Sequence, residues 1–292
     1  MNARSVAVTG ASGRLGSALA GALSHRTVHR WSRPEYDLDT PDAAGALLDR
    51  DRPSLVFHCA AWTDVDGCAR DPELAHRRNA SAVDELARAC ARRGVGLVLI
   101  STNEVFDGSR TDGRGYLEED EPNPVNPYGS SKLAGEGLAG QAFTDHDGPG
   151  APLWIVRTAW LYGPPGNDFP GKILAAADRL DPGQPLGVVH EEVGSPTYTI
   201  DLARGIRDLV ECTDGGLYHL VNEGHVSRHE WATKVLLTCR PGRSAKRVSM
   251  HEFRRPSQVP LRAVLDTALA RRAGVQLRPW EAALTDYLSA GC

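Results

Sequence analysis

Through its first half the chain alternates short apolar runs with longer stretches in which apolar residues recur at helical spacing. Ser5–Val8, Thr27–Trp31, Leu55–Cys59, Leu97–Ser101 and Leu153–Arg157 read as strands. Leu15–Ser24, Pro41–Arg50, Pro72–Arg93 and Tyr128–Gln141 read as the helices between them, and Gly94 after Arg92-Arg93 is a suitable stop for the third. Strand and helix in strict alternation predict a doubly wound parallel α/β sheet, with ligands at the carboxyl ends of its strands. After Arg157 the pattern loosens. Gly163-Pro164-Pro165-Gly166 reads as a loop, Phe169–Leu180 and Ile200–Glu211 as helices, and Gly216–Val221 as a strand returning to the main sheet. Short helices and turns follow Gly224, ending in Trp280–Leu288. Residues 1–156 and about 200–223 are expected to form a dinucleotide-binding domain of Rossmann type. Residues about 157–199 and 224–292 are expected to form a smaller, interleaved substrate lobe.

A length of 292 residues suits one large core, or a core with a lobe. The net charge of −4, with no basic block, argues against nucleic acid or an anionic membrane as partner. No apolar run approaches the length of a membrane span, and Met1–Arg4 leaves no room for a signal peptide, so a cytoplasmic protein is expected. Six scattered cysteines without a Cys-x-x-Cys pair read as reduced thiols, and no residue cluster has the spacing of a metal site. Only four of the 33 basic residues are lysine, a compositional bias that makes Lys132 conspicuous. Oligomeric state is left open, a homodimer included.

Thr9-Gly10-Ala11-Ser12-Gly13-Arg14-Leu15-Gly16 follows the first strand and opens the first helix. Glycines at 10, 13 and 16 allow a tight turn and close backbone approach to a pyrophosphate at the helix N-terminus, with Ser12, Arg14 and Leu15 alongside. The second strand ends in Arg30-Trp31-Ser32-Arg33, with no carboxylate to hold a ribose diol. Ser32 and Arg33 could hold a 2′-phosphate instead, which favours NADPH while leaving NADH possible. Asp37 and Leu38 fall where an adenine would lie, and the small residues Cys59, Ala60 and Ala61 permit close approach of a cofactor.

Tyr128 and Lys132 are four residues apart, so they share one helical face. An ammonium beside a phenol favours the phenolate and so eases proton transfer. Thr102 follows the fourth strand, at the sheet edge where a nicotinamide would lie, and can hydrogen-bond a substrate oxygen. A carbonyl–alcohol oxidoreductase is the chemistry implied: Tyr128 gives the proton, Lys132 holds the cofactor ribose, and the cofactor carries the hydride.

These segments, TGASGRLG, STNEVFDG and YGSSK, resemble the extended short-chain dehydrogenases/reductases. HCAAWTDVDG at 58–67, the stretch 71–79, YGSSKLAGE at 128–136, RTAWLYG at 157–163, GSPTYTIDLA at 194–203, GLYHL at 216–220 and Arg254–Pro256 narrow the resemblance. Together they are similar to the dTDP-4-dehydrorhamnose reductases and related nucleotide-sugar 4-ketoreductases. That resemblance implies reduction at C4 of a dTDP-4-keto-6-deoxyhexose, with Thr102, Tyr128 and Lys132 catalytic. It implies Trp160 against the sugar, Thr63, Val65 and Asn103 around the pocket, and Asn167 and Arg255 toward the nucleotide.

One departure stands out: Asn103-Glu104 replaces the Asp-Tyr common in that family. A Thr-Asp-Glu segment there is similar to the sugar-nucleotide 4,6-dehydratases, which makes Glu104 a candidate second acid–base group, although a solvated or ion-paired carboxylate is the preferred reading. A dehydratase or epimerase acting through Glu104 is therefore one rival reading. A regulatory subunit resembling the methionine adenosyltransferase β-subunit is another, because fold alone does not exclude it.

Overall fold

In the computed structural model, which describes residues 5–145, 150–252 and 254–291, the five predicted strands and the returning sixth form one sheet. They are β1 (Val6–Thr9), β2 (Val28–Trp31), β3 (Leu55–His58), β4 (Gly96–Thr102), β5 (Leu153–Thr158) and β6 (Gly216–His219). Their order is β6-β5-β4-β3-β1-β2, and every neighbouring pair is parallel. The chain runs outward from β1 to β2 and then returns to the opposite side of β1 as β3. That reversal opens a crevice at the carboxyl ends of β1 and β3.

Residues of β1, β3 and β4 alternate between two apolar layers, which is why these strands read as continuous apolar runs. Val6, Val8, Phe57, Val98 and Ile100 pack with Leu15, Leu19, Leu202 and Ile206, from the helices Arg14–Ala22 and Thr199–Cys212. Ala7, Val56, Leu97 and Leu99 face the opposite way, against Leu47, Leu48, Val83, Leu86 and Ala139. A third cluster, including Tyr162, Ile173, Val188, Trp231, Val235 and Leu284, is built from segments that follow β5.

Several expectations are corrected. The single helix expected over Pro72–Arg93 is Pro72–His76, a π-turn over Arg77–Ser81, and Ala82–Arg92. Beyond Gly224 the chain forms a full helix, Arg228–Cys239, rather than only short pieces. Its start was legible as Ser227-Arg228-His229-Glu230: the Ser227 hydroxyl accepts from the Glu230 amide, and the Glu230 carboxylate accepts from the Ser227 amide. Among the cysteines, Cys59, Cys68, Cys90 and Cys212 are free, but Cys239 is disulfide-bonded, so not all are reduced. Met1–Arg4 and Cys292 lie outside the described residues. In the acidic run at 118–121, Glu118 accepts the His219 amide at 2.8 Å, which ties this stretch to the sixth strand, and Asp120 accepts the Leu117 amide at 2.8 Å. Among the described residues no helix is long and apolar enough to cross a membrane.

Candidate active site

The crevice is a cleft of about 610 Å³. Every residue expected at the cofactor lines it: Gly10, Ser12, Gly13, Arg14, Leu15, Gly16, Ser32, Arg33, Asp37, Leu38, Cys59, Ala60 and Ala61, with Tyr128 and Lys132. Thr102, Thr63, Val65, Asn103, Glu104 and Trp160 line it as well, whereas Asn167 and Arg255 do not. The Asn167 carbonyl accepts from Arg14 at 2.7 Å, and Arg255 is paired with Asp66 at 2.9 Å. Asn167 thus touches the cleft-lining Arg14 through its main chain, and Arg255 is held by Asp66, which does not line the cleft.

At the glycine turn Gly10 has φ +60°, and the Gly13 amide donates to the Gly10 carbonyl at 2.8 Å. A β-carbon on Gly16 would lie 2.2 Å from that carbonyl oxygen, so only glycine closes the turn. The helix Arg14–Ala22 begins at Gly13 with no side-chain cap, which leaves its first amides facing the cleft. Thr9 ties the two edges of the crevice together: its hydroxyl accepts from the amides of Cys59 and Ala60, both at 3.1 Å. Ser32 accepts the Ser12 amide at 3.1 Å, and Arg33 makes no hydrogen bond or ion pair among the described residues.

The catalytic candidates converge from two elements. Thr102 ends β4, and Tyr128 and Lys132 lie on the helix Pro127–Thr144, whose first turn is capped by Asn126 accepting from the Gly129 amide at 2.8 Å. A β-carbon on Gly129 would sit 2.1 Å from the Glu104 carbonyl oxygen, so glycine lets this helix press against the chain leaving β4. The Tyr128 phenol is buried beside the Thr102 hydroxyl, and both residues line the cleft. Lys132 is 4 % exposed, and its ammonium donates to the Ile100 carbonyl at 2.8 Å.

The electrostatics reverse one expectation. Burial, with the Glu104 carboxylate adding to it, pushes the phenol above its ordinary range and outweighs a lowering by the Thr102 hydroxyl. The lysine is instead the group made labile, with burial lowering its pKa to about 8. Tyr128 is therefore held protonated near neutrality, the form that can donate.

Three residues escaped the sequence reading. Asn79, presented by the π-turn, accepts the Trp62 amide at 2.8 Å and donates to the Trp62 carbonyl and the Ser131 hydroxyl, which fixes the loop after β3 to the catalytic helix. Arg78 lines the cleft, lies over the Trp62 ring and pairs with Asp39, next to the cleft-lining Asp37 and Leu38. Arg228 lines the cleft beside Trp160. Arg78 and Asn79 both lay in a segment already noted for its resemblance, but Arg228 carried no signal. Asn103 is not a free pocket amide, because its side chain donates to the Ala263 carbonyl at 3.0 Å. The Glu104 carboxylate accepts from Asn126 at 2.7 Å.

A parallel doubly wound sheet, a glycine turn at its switch point, and a Thr/Tyr/Lys group at the adjoining strand end together define an extended short-chain dehydrogenase/reductase. The sequence profile of the RmlD substrate binding domain matches residues 4–291. The chain belongs to that family. It is 36 % identical over 295 residues to the dTDP-4-dehydrorhamnose reductase of Streptomyces griseus, covering 98 % of this chain and 93 % of the relative. It is 36 % identical to the dTDP-4-keto-6-deoxy-D-glucose reductase of Streptomyces niveus, covering 95 % of this chain and 94 % of the relative. The crystal structure of the Bacillus anthracis dTDP-4-dehydrorhamnose reductase in complex with NADP superposes with a TM-score of 0.90 at 31 % identity, covering 98 % and 99 % of the two chains.

Proposed function

We propose that this protein reduces the C4 keto group of a nucleotide-activated 4-keto-6-deoxyhexose, dTDP-linked, with NADPH as the reductant. The observation that carries the reading is the convergence of Thr102, Tyr128 and Lys132 in one cleft that begins at the glycine turn. The cleft fits the cofactor: the turn that only glycine at 16 closes and the uncapped helix start suit a pyrophosphate, and Ser32 with unpaired Arg33 suits a 2′-phosphate. Bound NADPH supplies the hydride. The chain's own residues do the rest. Thr102 orients the carbonyl oxygen, Tyr128 gives that oxygen its phenolic proton as negative charge develops, and Lys132 holds a ribose hydroxyl with a charge that stabilises the phenolate left behind. On this reading residues about 157–199 and 224–292 form the substrate lobe, and a cytoplasmic location accords with a soluble activated sugar.

Glu104 does not favour the dehydratase reading. Elimination there would need a second acid beside it, and Asn103 is an amide bound to the Ala263 carbonyl. The test is a panel of dTDP-, GDP- and UDP-4-keto-6-deoxy sugars, followed by NADPH oxidation and product NMR. Reduction at C4 of the dTDP sugar is the expected result. NADPH left unconsumed across the panel overturns the reading, and turnover on tightly held NAD+ without added reductant supports the Glu104 rival.

Two further results are expected. Gly16→Val forces a branched β-carbon onto the Gly10 carbonyl and opens the turn, so NADPH affinity falls at least roughly tenfold, the equivalent of about 1.4 kcal/mol. Titration of the nicotinamide fluorescence reads it, and an unchanged dissociation constant removes the turn from the site. With Lys132 near 8, its charge is present below that pH and lost above it, so kcat/KM falls as pH rises through about 8. Lys132→Arg, charged throughout, removes that limb even where its overall rate is lower. A profile of the natural protein that stays flat to high pH contradicts the role given to the ammonium.

A further inference from the structure

Arg228 is the first residue of the helix Arg228–Cys239, and that helix start is rigidly set by the Ser227–Glu230 capping box. Its guanidinium carbon lies 3.5 Å from the Trp160 ring centroid, 5.0 Å from that of Phe169 and 5.7 Å from that of Trp231. The side chain is 21 % exposed, its Nε donates to the Glu192 carboxylate at 3.3 Å, and its main-chain amide donates to the Glu192 carbonyl at 3.0 Å. The two terminal amino groups have no protein acceptor among the described residues, and the residue lines the cleft. A stacked, one-edge-bound guanidinium has its plane and direction fixed before any ligand arrives. Its free edge matches a pair of phosphate oxygens. The other arginine near this end, Arg255, has its Nε taken by Asp66 and does not line the cleft.

We infer that Arg228 binds the diphosphate of the nucleotide sugar, taking phosphate oxygens on its terminal amino groups while Trp160 and Glu192 hold the fork in place. The inference rests on the proposed reaction. In that substrate the diphosphate is attached at C1, across the hexose ring from C4. A phosphate anchor and the acid at C4 must therefore share one cleft, as Arg228 and Tyr128 do.

The test uses the NADPH-loaded protein and two probes, dTDP and thymidine, with dissociation constants measured by calorimetry. The natural protein prefers dTDP. Arg228→Met keeps the apolar stem but not the fork, and it narrows the dTDP-to-thymidine ratio by roughly ten- to a hundredfold, the scale of a charge-assisted pair. A merely structural role would weaken both probes alike and leave the ratio unchanged, which overturns the inference. If the methionine variant does not fold, Arg228→Lys reads the same ratio: a loss of about threefold or more supports the fork, and no change refutes it. Failure of the natural protein to bind dTDP at all would count against the nucleotide-sugar reading instead.

Discussion

Tyr128→Phe lowers turnover by about 10²- to 10⁴-fold while NADPH affinity and melting temperature stay close to those of the natural protein. The ring is 9 % exposed and packs with Cys68, Ala75, Trp62 and Val65, contacts that phenylalanine keeps. What is lost is one hydroxyl, beside Thr102, and with it the proton for the developing alkoxide. Because burial and Glu104 keep that phenol protonated, the natural protein shows no falling limb of its own from Tyr128 near neutrality. The limb near pH 8 belongs to Lys132. Steady-state kinetics with a cofactor titration checks both parts. Turnover within a few-fold of the natural protein would remove Tyr128 as the acid. Loss of cofactor binding together with turnover would show a structural failure instead.

Glu136→Ala has the largest expected effect on stability. Glu136 and Arg157 are 6 % and 4 % exposed and joined by three hydrogen bonds of 2.7, 3.1 and 3.2 Å, and the Ser101 hydroxyl donates to the same carboxylate. Removing the carboxylate strands a buried guanidinium whose Nη1 already lacks a partner, at a cost of about 3–5 kcal/mol. For a chain of this size that is a fall in melting temperature on the order of ten degrees. Glu136→Met combined with Arg157→Leu, which removes both charges, recovers most of the loss. The substitution also reaches the site. Glu136 is the leading influence that holds the Lys132 pKa up against burial, so in Glu136→Gln the limb moves below pH 8. Scanning calorimetry and a pH–rate profile test the two effects separately. A limb that stays in place would show that Glu136 acts on the fold alone.

The parts of the molecule legible in the sequence are those governed by local spacing. Parallel strands buried on both faces must be apolar throughout, so Val6–Val8 and Leu97–Ile100 announced themselves. A turn that only glycine can close leaves glycines at 10, 13 and 16. The four-residue interval from Tyr128 to Lys132 shows the shared helical face but not where the ammonium points. In the structure it turns to the Ile100 carbonyl, and burial dominates the phenol, so the expected direction of its shift was reversed. Asn103 lines the cleft, but its amide is taken by the Ala263 carbonyl, 160 positions away along the chain, a contact that no local spacing shows.

By itself the sequence determined the doubly wound sheet, the glycine turn and the placing of Thr102, Tyr128 and Lys132 at one crevice, because backbone geometry ties each of these to a short run of residues. Only the tertiary structure decided which partners their polar atoms meet. The π-turn that aims Asn79, the buried Glu136–Arg157 pair behind Lys132, and Arg228 laid against Trp160 all join segments far apart in the chain. Desolvation and ion pairing act through space, at distances that no interval along the chain records.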